Sequence, residues 1–149
     1  MSAVNKHSPS IWAQRMGYGG LVPFAGLALA TWFAEPAYRV SSSLALLGYG
    51  AVICSFLGAI HWGMAMRDGP SSQSFSQLGW GVVPSLLAWL ALMIRPSAGL
   101  LLIAGVLCAC FAVDRVMYPR FGAQAWLPMR LRLTFFASIS CTCSALRQM

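Results

Sequence analysis

His61, Asp114, Arg115, Arg130 and Arg132 are the residues that could do chemistry in this chain, because each stands at the edge of or inside an apolar run. His61 lies in Phe56-Leu57-Gly58-Ala59-Ile60-His61-Trp62-Gly63, six residues before Arg67. On a helix that is about 9 Å inward from the arginine. A polar ring at that depth belongs in the interior of a helix bundle, in a cavity or at the membrane interface, not among acyl chains. It suits proton transfer or ligand contact, and equally a plain hydrogen bond within the bundle. Trp62 follows it, and Gly58, three residues back on nearly the same face, would admit a second backbone or a ligand.

Asp114 is the acid of the chain expected inside an apolar span. In a membrane it costs a few kcal/mol, about 3, unless it is paired or near the surface. Arg115, Arg130 and Arg132 are expected at comparable depth on the same side. A carboxylate–guanidinium pair would offset much of the cost. Arg130 and Arg132 are two residues apart and point to different faces, so at most one pairs inward with ease while the other snorkels to headgroups. The cluster reads either as a salt bridge locking two helices together or as a site for an anionic headgroup or a proton. His61, Trp62, Asp114, Arg115, Arg130 and Arg132 are therefore the candidate ligand-binding residues.

Other chemistry is less well provided for. Cys108 and Cys110, like Cys141 and Cys143, are two residues apart, which on a helix turns the two sulfurs about 200° from each other. Met64 and Met66 diverge in the same way, which argues against a copper site built on them with His61. No metal and no cofactor is expected. Haem held axially by His61, or a quinone-linked redox role, stands as an alternative. No Walker loop, HExxH, GxSxG or paired catalytic carboxylates can be read, so no catalytic residue is assigned.

The elements that must position these residues follow from composition. The chain has 149 residues, 58% hydrophobic and 9% charged, against about 25% charged in a soluble domain. Mean hydropathy is +0.69. The net charge of +7 comes from ten Lys and Arg against three acids. These cations sit singly at the ends of apolar runs, which suits topology and anionic headgroups and leaves no solvated stripe for nucleic acid. The five cysteines are odd in number and lie in apolar runs, so no disulfide framework is expected.

About 20 apolar residues cross a bilayer as a helix, and five stretches approach that: about 17–33, 43–66, 78–94, 97–117 and 127–146. The fold class is all-α, an integral membrane helical bundle of about five transmembrane helices. Residues 1–16 form an expected N-terminal interfacial segment, with Ser8-Pro9 as N-cap and first-turn proline. Residues 17–146 form the transmembrane domain and 147–149 a tail. Residues 1–16 lack the compact apolar core of a cleaved signal, so the first span is expected to be retained. The connections are expected at Glu35–Ser42, Arg67–Gln77, Arg95-Pro96 and Tyr118–Trp126. Pro23 and Pro84 lie several residues inside their helices and should kink them. The openings of spans one and three echo each other (Tyr18-Gly19-Gly20-Leu21-Val22-Pro23 and Gly79-Trp80-Gly81-Val82-Val83-Pro84). This reads as a parallel two-helix repeat plus a fifth helix, or as a chance likeness of small apolar residues.

Lys6, Arg15, Arg67, Arg115, Arg120, Arg130 and Arg132 fall on one side of the spans, and Arg39, Arg95 and Arg147 on the other. The positive-inside rule then places the N-terminus inside and the C-terminus outside. Expected partners are the lipid bilayer and either a membrane-protein partner or a second copy of the chain, with no nucleic acid.

The His-Trp-Gly segment at 61–63, Val83-Pro84-Ser85-Leu86-Leu87-Ala88-Trp89 and Val113-Asp114-Arg115 carry a resemblance over about Gly17 to Leu146. The chain resembles an uncharacterised membrane family, domain of unknown function 3429, whose animal member is called transmembrane protein 69. The resemblance implies a multi-pass protein of a bacterial cytoplasmic (inner) membrane, or of the mitochondrial inner membrane in a eukaryote. It implies no activity. The fullest expectation is a non-enzymatic module that binds a lipid or a partner, with a polar site on the inner side. The alternative is a small oligomeric carrier or proton-coupled transporter using His61.

Overall fold

A computed structural model describes residues 8–68 and 75–149. The first seven residues of the expected N-terminal segment and the Gly69-Pro70 stretch of the second connection lie outside the described residues. The elements are α1 (Ile11–Gly19), α2 (Leu21–Phe33), α3 (Pro36–Asp68), α4 (Phe75–Met93), α5 (Pro96–Arg120), a single 3-10 turn (Gln124–Trp126) and α6 (Leu127–Leu146).

Ser10, not Ser8, caps α1. Its side chain accepts from the Ala13 amide at 3.2 Å. Pro9 precedes the cap instead of opening the helix, and its carbonyl accepts from Gln14 Nε2 at 3.1 Å. α1 and α2 together form one rod, interrupted only at Gly20, whose backbone stays helical (φ −63°, ψ −15°). The interruption falls three residues before Pro23, where the ring crowds the preceding turn. Tyr49 of α3 donates to the Gly20 carbonyl at 2.9 Å, so a backbone oxygen at the irregular turn is satisfied from the neighbouring helix. Pro84, by contrast, lies within an unbroken α4.

Two expected boundaries are corrected. The stretch Glu35–Ser42 is not a loop: α3 starts at Pro36, leaving Ala34 and Glu35 as the connection. Proline suits the first helical turn, and nothing between Ala37 and Ser42 breaks a helix. Arg39 turns back to donate from Nε to the Ala34 carbonyl at 3.0 Å, closing the end of α2. Helix α5 does not stop before Pro119 but runs to Arg120. It ends in a Schellman turn: Ala123 N–H bonds Tyr118 O at 2.8 Å and Gly122 N–H bonds Pro119 O at 3.2 Å. Gly122 takes φ 67° there, the left-handed conformation that this cap requires and glycine allows.

Among the described residues, four stretches are long and apolar enough to cross a membrane: Ile11–Phe33, Pro36–Arg67, Phe75–Met93 and Pro96–Arg120. Helix α6, of 20 residues, is less apolar because it carries Arg130 and Arg132. It packs beside α5 and α2 as the fifth rod. The whole is an all-α membrane bundle with α3 at its centre, touching α2, α4, α5 and α6.

Leu46, Leu47, Cys54, Leu100, Ile103, Leu107 and Cys141 fill the core. The outer surface is apolar too, with Phe33, Val52, Trp89, Phe135 and Phe136 exposed, as lipid contact requires. The paired cysteines split as their spacing implies: Cys110 and Cys141 are buried, Cys108 and Cys143 exposed. The central crossing is that of α3 over α4, where a side chain on Gly58 would run into the Gly81 carbonyl. Two glycines let the backbones meet, and Trp62 folds over the same point.

Candidate functional site

The sequential hairpins bring the end of α3, the start of α4, the end of α5 and the start of α6 to one end of the bundle. His61, Asp114 and Arg130 meet there. Asp114 accepts from Arg130 Nε at 2.8 Å and from Nη2 at 2.6 Å, both on Oδ2. Its other oxygen, Oδ1, lies 3.2 Å from His61 Nε2. All three residues are buried: Arg130 is 7% exposed, Asp114 2% and His61 1%. The carboxylate thus has a partner on each oxygen, and the acid is matched by one permanent positive charge. That is the condition under which a buried ion pair is tolerable.

Around this triad, Gln77 of α4 donates from Nε2 to the His61 carbonyl at 3.2 Å. Tyr118, one turn past Asp114, is buried beside Arg130. His61 Nδ1 is buried without a hydrogen-bond partner. Trp62 is next to the triad in sequence but not part of it: Nε1 donates to the Leu78 carbonyl at 3.0 Å, tying α3 to α4. Arg115 and Arg132 are exposed. Arg132 Nη1 donates to Tyr18 Oη at 3.3 Å. Among the described residues, no group of three or more His, Cys, Asp or Glu side chains is placed to hold a metal ion.

Arg130 has a second face. It lines a cavity of about 160 Å³ between the α1–α2 rod, α3, α5 and α6. Phe24, Ile53, Leu57, Leu107 and Leu133 form most of the wall, and Arg130 and Thr134 are the charged and hydroxylic side chains within it. A second cavity, of about 500 Å³, adjoins it through Phe56 and is lined by Met64, Arg67, Tyr118 and Trp126 among others. His61 lines neither.

Thr134, Tyr118 and Gln77 were not among the residues expected from sequence. Thr134 follows Arg130 by four residues, and Tyr118 follows Asp114 by four. That spacing puts each on the same helix face as its partner and was the signal to use. Gln77 fell in a stretch expected to be a connection.

A multi-pass α-helical bundle with a buried His–Asp–Arg cluster at one end defines a class of membrane protein, and comparison with known proteins narrows it. Residues 9–146 match the family described as Protein of unknown function (DUF3429), and the chain belongs to that family. It is similar to Transmembrane protein 69 of Xenopus tropicalis, 37% identical over 95 residues. The matched region covers 61% of this chain and 37% of that protein, so the chain spans well under two-thirds of its relative's length. No solved structure matches.

Proposed function

We propose that this chain is a non-enzymatic module of an inner membrane that binds an amphiphile at a polar site near its inner face. The membrane would be the bacterial cytoplasmic membrane, or the mitochondrial inner membrane in a eukaryote. The N-terminus would lie inside and the C-terminus outside, on the seven-to-three distribution of Lys and Arg.

The observation that carries this reading is the double engagement of Arg130: Asp114 holds the guanidinium, and the same residue lines an apolar cavity. A salt bridge serving only to lock α5 to α6 needs no adjacent void. This one opens to the surface past Met16 and Phe56, and inside a bilayer the molecule at hand to occupy it is a lipid or lipid-like molecule.

Purification in mild detergent followed by native mass measurement tests this. The wild-type chain should retain a small amphiphile. Ala137→Phe, which puts a ring into the cavity without touching the triad, should lose it and remain folded. A wild-type chain that flies empty, or a variant that retains the same species, would count against the reading.

A second reading, a small oligomeric carrier moving protons with its substrate, is favoured by His61. Its Nδ1 is buried and unpartnered, while Nε2 faces the Asp114 carboxylate. Flux in proteoliposomes that survives His61→Ala would set that reading aside.

A further inference from the structure

We propose, building on the amphiphile-binding reading, that the ligand is a lipid-soluble quinone whose ring sits in the cavity beside Arg130. A ring carbonyl would accept hydrogen bonds from Thr134 and Arg130.

Thr134 points to the ligand first. Its hydroxyl is buried, the residue being 6% exposed, and has no hydrogen-bond partner. Several hydroxyls in these helices turn back onto the carbonyl four residues earlier: Ser55 to Ala51 at 3.0 Å, Ser140 to Phe136 at 2.9 Å, Thr142 to Ser138 at 2.8 Å. Thr134 forgoes that bond and stands in the cavity wall, where a turn about its Cα–Cβ bond would bring the hydroxyl to a ligand. A buried donor left unmade is expensive, so an acceptor in the cavity would complete it.

Arg130 supplies further donors from the same helix face. A guanidinium has five N–H groups. Two go to Asp114, which leaves three.

Charge then selects the ligand's head. Asp114 already balances Arg130, so the cavity offers donors with no net positive charge. An anionic headgroup would meet a neutral pair, with the carboxylate close by, in a medium of low dielectric. A neutral acceptor such as a ketone carbonyl meets only the donors.

Size selects its shape. An apolar cavity of about 150 Å³ lined by Leu, Ile and Phe holds one benzene ring. The cavity here, of about 160 Å³, has room for a single substituted ring. Position suits the tail. Arg130 is about 4.5 Å inside the start of α6, and the cavity reaches Ala137, about 10 Å farther towards the middle of the bilayer. Met16 and Phe56 stand at its edge and are strongly exposed, which leaves the tail a way out to lipid.

The test titrates purified full-length protein with a decyl-substituted benzoquinone and, separately, with decylbenzene, which has the ring and chain but no carbonyls. Calorimetry should show saturable binding of the quinone at one site per chain and much weaker binding of decylbenzene. Thr134→Val keeps the shape and removes the hydroxyl. It should weaken the quinone by about tenfold, as a lost buried hydrogen bond would, and leave decylbenzene unchanged.

Equal binding of the two probes, or an unaffected quinone in Thr134→Val, would overturn the quinone assignment. So would a co-purified phospholipid that the quinone fails to displace, although the amphiphile-binding reading would then stand. A protein that retains no lipid and binds neither probe would end both.

Discussion

Asp114 is the residue on which this end of the bundle depends. It accepts from Arg130 on one oxygen and faces His61 with the other. Removing one member of a buried pair strands the other, at a cost of roughly 3–5 kcal/mol, whereas replacing both by apolar groups of similar volume is often neutral. Asp114→Ala should therefore lower the unfolding midpoint in detergent sharply, and Asp114→Leu with Arg130→Met should recover most of the loss. A double variant no more stable than Asp114→Ala would show that the triad has a role other than charge balance. Arg132→Ala, at an exposed position, should cost less than about 0.5 kcal/mol. That Asp114 needs an arginine was legible in the sequence, because an acid in a membrane must be paired. Which arginine was not. The two-residue spacing separates the faces of Arg130 and Arg132, but only the packing of α6 against α5 and α2 shows which face turns inward. His61 was legible as a buried ring, and its tie to Asp114, 53 residues away, was not.

The helices themselves show where local rules suffice. Pro96 opens α5, and α6 runs from Leu127 to Leu146 as read from its apolar run. The rules failed where two signals compete. Residues 36–42 are polar enough to suggest a loop, yet Pro36 and the absence of any breaker extend α3 to 33 residues, about 50 Å long and well beyond the hydrocarbon layer. Pro119 reads as a stop, but in the last turn it costs little, and the stop is left to Gly122. Gly58 and Gly81 make a sharper test at this scale. A methyl on Gly58 would collide with the Gly81 backbone, which cannot swing away as a side chain can. Gly58→Ala should cost about 1–3 kcal/mol through overpacking and part α3 from α4. Gly63→Ala and Gly105→Ala, which meet nothing within 4 Å, should leave stability equal or raised by up to about 1 kcal/mol. Equal effects at Gly58 and Gly63 would contradict the close crossing.

At the scale of the whole molecule, apolar length alone made the number of rods legible, whereas their arrangement was not. Every span is similarly apolar, so nothing marked α3 as the central helix or placed the cavity between the first rod, α3, α5 and α6. The proposed orientation rests on charge at the span ends. A reporter fused after Met149 should read outside, and one inserted between α3 and α4 should read inside. The opposite pair of results would invert the bundle and put the triad at the outer face. The central claim is that the cavity beside Arg130 is a binding site. The most direct measurement is an experimental density map of the protein in native lipid. The account predicts an elongated density in that cavity, its polar end within hydrogen-bond distance of Arg130 and Thr134 and its tail leaving past Met16 and Phe56. A cavity closed by Leu133 and Phe24, with Thr134 bonded back to its own helix, would contradict it.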